Sequence, residues 1–268
     1  MNIIQCLLNL PTFLSMLLLI LFFAGLNVFV TVFTRWFQAR KTQDKTSNEI
    51  TGYIFSVVAG FYALLLSFVV FQALDKYNNV QKDADTEASS AKSLYRQIKH
   101  YPDTVLVSAL KLEFLNYLKL VVTEEFPGMA KGNQSESSHY SFEKVFEMVL
   151  KMKQSGDSIK SNTQVMVQNL IDLSKFRSLR QLAGDVEISR RMWEVLLIGG
   201  LIIAILASLI NVKSRRYHLF LNGLMGAFIG LIIFLIIELD HPFAGSIKIK
   251  PDGYSAILNM EGDSVINK

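Results

Sequence analysis

Cysteine is almost missing: Cys6 is the only one among 268 residues, which excludes an internal disulfide and any cysteine-cluster metal site. Histidine is scarce too. His100, His139, His218 and His241 stand far apart in the chain, so no histidine metal site is expected either. No lysine or arginine precedes Arg35, and no small-residue cleavage pattern follows the first apolar run, so that run is expected to be a retained membrane helix and not a secretory leader. There is no phosphate-cradling glycine loop, no G-x-G-x-x-G after a strand, no G-x-S-x-G elbow and no H-E-x-x-H pair; no catalytic residue, enzyme activity or cofactor is indicated. With 27 basic against 23 acidic side chains the formal net charge is only +4. That is too little to argue for nucleic acid, and no basic stretch with interleaved aromatics supports such a partner.

What the chain has in quantity is apolar sequence, 51% of its residues. It is gathered into four runs, near residues 11–33, 52–74, 192–210 and 219–239. Each is long enough to cross a hydrocarbon core of about 30 Å at about 1.5 Å per helical residue. The expected fold is therefore all-α and integral to the membrane, with the lipid bilayer as first partner. A first transmembrane pair occupies 1–74, a helical extramembrane domain 75–191, a second pair 192–239, and a C-terminal tail 240–268. Four spans put both termini and the middle domain on one side. The short loops carry Arg35, Arg40, Lys41, Lys45, Lys213, Arg215 and Arg216, and counting positive charge places those loops in the cytoplasm of a cell (inner) membrane and the domain outside it.

Neither glycine nor proline interrupts Phe61 to Tyr101, so the second span is expected to continue as a helix beyond the bilayer. There Val80, Ala84, Ala88, Ala91, Tyr95 and Ile98 recur at three- and four-residue spacing, an apolar face that calls for a partner helix. A second helix is expected from a cap at Asp103 to a break at Pro127 and Gly128, and two more on either side of Gly156. Adjacent Glu124 and Glu125 read as a charged helix end, with one of them free to face a partner helix or a pore. Glu194, at the membrane boundary, is placed to pair with Arg190 or Arg191. At the end of the last span, Glu238, Asp240 and His241 are expected to mark the water boundary. Asp240, Pro242, Phe243 and Gly245 then form a structural elbow, with Phe243 as an interfacial anchor, and Ile247 and Ile249 alternate with Lys248 and Lys250 as a short strand before a turn at Pro251, Asp252 and Gly253.

The second span carries the most information. At about 100° per residue, Ser56, Gly60, Ala63 and Ser67 fall on a small-residue stripe and Phe61, Leu65, Phe68 and Gln72 on a bulky one. Small residues recur as Gly200 and Ala204 in the third span and as Gly223, Gly226, Ala227 and Gly230 in the fourth. All are expected to support close helix packing. The bulky stripe faces lipid or, with several copies around an axis, makes an apolar constriction of the kind that gates by dewetting. Charge is almost missing inside the spans, which disfavours a proton relay or a voltage sensor.

Several segments taken together, "NEITGYIFSVVAGFYALLLSFVV", "ASSAKSLYRQIKHYPD", "TEEFPGMAKG", "SRRMWEVLLIGG" and "ELDHPFAGSI", resemble the bacterial family of bestrophin-like membrane proteins, a family whose function is not settled. A fainter likeness to the bestrophins themselves, which are pentameric anion channels, rests on "LLLSFVVFQALDKYNN" and "DHPFAGS". That likeness implies a homo-oligomer, a pentamer by resemblance, passing small anions, with Phe61, Leu65 and Phe68 at the neck and the middle domain in the cytosol, opposite to the side that loop charge gives. The acidic cluster that follows the turn in calcium-gated bestrophins is replaced here by "SIKIKPDGY", so calcium gating is not expected. The alternative is a non-conducting scaffold or signalling subunit that binds a partner through Val80, Ala84, Ala91 and Ile98.

Overall fold

The computed structural model describes residues 7–38, 45–101, 104–152, 160–185 and 188–266. The expected cap at Asp103 and break at Gly156 lie outside them. The helices are α1 (Thr12–Gln38), α2 (Lys45–Lys99), α3 (Thr104–Leu120), α4 (Phe126–Met129), α5 (Glu136–Met152), α6 (Lys160–Asp185), α7 (Arg190–Leu209), α8 (Arg215–Asp240) and α9 (Asp252–Ile266), with a π turn at Val121–Glu125 between α3 and α4. Among the described residues there is no strand. Contacts divide the chain into two units, Met1–Lys76 with Glu187–Asp240 and Tyr77–Val186 with His241–Lys268.

The first unit holds the helices α1, α7 and α8 and the apolar start of α2; all four helices are long and apolar enough to cross a membrane. α1 lies along α8 and touches α7. Its approach to α8 is close because glycines leave room: a Cβ on Gly230 would stand 2.7 Å from the carbonyl oxygen of Leu19, and one on Gly226 would collide with Phe23 and Asn27. Polar side chains in this seam pair with one another in part. Asn222 Nδ2 donates to Thr31 Oγ1 at 2.9 Å, and Thr31 Oγ1 donates to the Asn27 carbonyl at 2.7 Å, while the buried Asn27 Oδ1 makes no hydrogen bond within the protomer. His218, in the first turn of α8, is buried with Nε2 3.2 Å from the Ala207 carbonyl oxygen.

The second unit is a helical bundle with one apolar core drawn from α2, α3, α5, α6, the π turn and the C-terminal segment. α2 runs without interruption through Lys99. Val80, Ala84, Ala91 and Ile98 are all buried in this core, so the face that the scaffold alternative needs for a foreign partner is filled by the chain itself. The helical stretch ends at Met129, one residue past Gly128, so the expected break at Pro127 and Gly128 falls within a residue or two of the observed end. The chain stays helical through the π turn and α4, because Pro127 sits in the first turn of α4, where the amide proton it lacks has no bond to make.

The tail also departs from expectation. Residues 247–250 form no strand; Ile249 N instead donates to the Pro242 carbonyl at 2.8 Å. Asp252 and Gly253 begin α9 where a turn was expected, and Ser255 N donates to the Pro251 carbonyl at 3.0 Å; an acidic residue suits a helix N-terminus. Phe243 is not an interfacial anchor. It is buried and meets Phe126 edge-on at 5.9 Å.

Candidate functional site

The membrane part of α2 has one face turned inward and the rest turned out. Tyr62, Leu66, Val69 and Ala73, spaced four, three and four, are buried within the first unit. The bulky stripe lies about 90° around the helix from them. Phe61 is 72% and Phe68 66% exposed, Gln72 is exposed, and Leu65 is half-buried. On the other flank Ser56, Gly60, Ala63 and Ser67 are exposed as well, and a Cβ on Gly60 would meet nothing within 4 Å. The remaining small residues sit inside the unit: Ala204, Gly223, Gly226 and Gly230 are buried, Gly200 and Ala227 half-buried. Leu64 and Phe71, which belong to neither stripe, are the outermost apolar side chains between the two flanks.

Beyond Lys76 the outward face of α2 changes character. Asn78, Gln81, Lys82, Asp85, Thr86 and Ser89 line an open polar groove along it. One helix thus presents a large apolar surface along its membrane part and a hydrophilic one after it.

Where the membrane part of α2 ends, Asp240 at the end of α8 is buried, and its carboxylate accepts Lys76 Nζ at 2.8 Å and the Ile188 amide at 3.1 Å. Lys76 Nζ also donates to the Asp240 carbonyl at 2.7 Å. Glu238 is buried too. Neither acid is the water-facing marker that was expected, because Asp240 is satisfied by a lysine 164 positions away. The turn itself follows: Ala244 N donates to the His241 carbonyl, and Gly245 takes φ +74°, a region open to glycine. Glu194 pairs with Arg190 on the exposed side of α7 at 3.3 Å.

The second unit hides a charge quartet that pattern-reading missed. Arg180, fully buried, donates from Nε to Glu87 at 2.5 Å and from Nη2 to Glu125 at 2.5 Å. Arg177 donates from Nη2 to Glu125 Oε2 at 2.8 Å and to Ser138 Oγ at 3.1 Å. Burial would raise the carboxyl of Glu125, but the Arg180 charge and the Arg177 hydrogen bond outweigh it and hold it down at about 2. Burial, reinforced by the Glu87 and Glu125 charges, pushes the Tyr117 phenol up. Glu124, next to Glu125, is exposed and accepts from Ser135 and Ser137. Of the adjacent pair, then, one acid is solvated and one faces a partner helix.

A signal for the quartet was present. Glu87 continues the buried run Val80, Ala84, Ala91, Leu94, Ile98, and Arg177 and Arg180 continue Met166, Leu170, Leu173, each at three- and four-residue spacing. A charge at such a position calls for a buried opposite charge. Among the described residues no group of three or more histidine, cysteine or carboxylate side chains is placed to hold a metal.

A profile of the bestrophin-like domain matches residues 20–254. Solved structures with a similar fold include a single-substitution variant of a bacterial bestrophin homolog from Klebsiella pneumoniae, at 13% identity and TM-score 0.70 over 92% of this chain and 96% of that one. A structure of a bacterial bestrophin homolog from the same organism, phased on zinc, is 12% identical with TM-score 0.65, over 88% and 94% of the two chains. A structure described only as a membrane protein variant is 13% identical with TM-score 0.69, over 90% and 96%. No curated protein matched the sequence.

Proposed function

This chain belongs to the bestrophin-like family, and from that premise we propose that it is a homo-oligomeric ion channel whose pore is lined by the membrane part of α2. The observation that carries the reading is the bulky stripe of α2, with Phe61, Phe68 and Gln72 exposed and Leu65 half-buried, followed along the same helix by the polar groove of Asn78, Gln81, Lys82, Asp85, Thr86 and Ser89. A lone protomer exposing so many aromatic rings beside small residues suits a ring of copies, with the bulky flank of one helix against the small flank of the next. Five copies follow from resemblance, as do small anions as the permeant species. One feature favours cations as a second reading. Asp75 and Asp85 set two carboxylates against the ammonium of Lys82 on the exposed polar side, and rings of carboxylates favour cations.

Among the described residues no nucleophile with its base and orienter is assembled, and transport without chemistry is the reading those residues favour. The test is ion flux in proteoliposomes carrying the purified chain. Selective release of one ion class above protein-free vesicles supports the channel, and the ion class decides between the anion and cation readings. Vesicles as tight as the protein-free control to every monovalent ion overturn it.

A further inference from the structure

Tyr62 reaches from α2 into a neighbouring membrane helix. Its hydroxyl donates to the Leu196 carbonyl of α7 at 3.0 Å. Its ring fills a notch made by two consecutive glycines: a Cβ on Gly199 would stand 2.8 Å from the ring carbons, and one on Gly200 3.0 Å from the hydroxyl oxygen. A side chain at Gly199 would force the ring to shift, and one at Gly200 would press on its hydroxyl. The Leu196 carbonyl already serves the helical ladder, but an oxygen has two lone pairs and accepts both donors. Among lipid tails a phenol hydroxyl has no water to turn to, so the bond is directional and costly to lose. Fourteen residues along α2, about 21 Å at helical rise, Lys76 is tied to both the side chain and the main chain of Asp240.

Resting on the channel reading above, we propose that Tyr62 seated in the Gly199–Gly200 notch is a positioning contact that sets the rotation of the second span, and with it the fraction of time the bulky stripe obstructs the pore. Phe61 and Leu65 lie about 100° and 60° around the helix from Tyr62, and turning the ring out of the notch turns them by the same angle. With side-chain tips about 5 Å from the helix axis, a rotation of about 30° moves each by about 3 Å. A shift of that size is comparable to an ion's diameter. The Lys76–Asp240 tie holds the far end, so the span twists about it without sliding away.

Two variants separate the parts of this contact. Tyr62→Phe keeps the ring and removes only the hydroxyl; Gly199→Ala fills the notch. Tyr53→Phe, an exposed tyrosine of the same helix, is the control. In planar bilayers Tyr62→Phe is expected to leave the unitary current unchanged and shift the open-to-closed ratio about three- to tenfold, the worth of one hydrogen bond. A larger shift is expected from Gly199→Ala, and none from Tyr53→Phe. A second readout needs no current: in a Cys6→Ser background carrying Phe68→Cys, the rate of thiol modification by a charged reagent changes when Tyr62→Phe is added. If the unsubstituted chain is silent in bilayers, the channel reading falls while thiol accessibility still decides the rotation. Tyr62→Phe with an unaltered modification rate overturns the positioning role whether or not Gly199→Ala folds, and so does an unaltered open-to-closed ratio in a chain that conducts.

Discussion

Arg180 shows what a single side chain holds together here. Its guanidinium lies wholly out of water between Glu87 and Glu125, 4.5 Å above the Phe126 ring. Arg180→Met is therefore expected to cost about 3 to 5 kcal/mol, the range for removing one partner of a buried ion pair, measured as a lowered denaturation midpoint of the purified chain. Glu125 adds a pH dependence of definite sign. Its carboxyl is held down at about 2, against an ordinary 4.5, so its stabilising contribution is complete above about 4.5 and is lost as pH falls toward 2. The stability difference between the native chain and Glu125→Gln should shrink across that window in acid denaturation and stay constant above it. At this scale the sequence was half legible. Spacing exposed the core positions on both sides of Glu87, Arg177 and Arg180, but pairing them required knowing that α6, α2 and the π turn meet.

Helices were legible where pattern alone decides them and illegible where contact does. The four membrane helices follow from length and apolarity, and the unbroken α2 from its lack of glycine and proline. The π turn left no such trace, and Pro127, ordinarily a stop signal, became a first-turn residue once the preceding turn had widened. The alternation of Ile247, Lys248, Ile249 and Lys250 resembled a strand, yet no neighbouring strand exists among the described residues to complete a ladder. At the α1–α8 seam, where a Cβ on Gly230 would press on the Leu19 main chain, Gly230→Val is expected to destabilise the chain by about 1 to 3 kcal/mol through overpacking. Gly60→Val, whose site is open in the protomer, should spare the protomer and weaken only association between copies, read as a shift to smaller particles by light scattering in detergent.

For the whole molecule, parity of four spans leads to the proposal that both ends of the chain share one side, and loop charge and family likeness disagree on which side that is. Labelling of a cysteine introduced at exposed Lys213, in a Cys6→Ser background, settles it: protection from an impermeant reagent in intact cells puts the short basic loops inside, as their charge implies. Neither outcome alters the central proposal, that copies of this chain surround a pore walled by α2. Single-channel recording of the purified chain and of Phe68→Ala in planar bilayers tests that proposal most directly. The expected result is discrete current steps whose amplitude or threshold changes when the exposed Phe68 ring is removed. A silent bilayer under varied ions and pH, or steps indifferent to Phe68→Ala and Leu65→Ala alike, would contradict it.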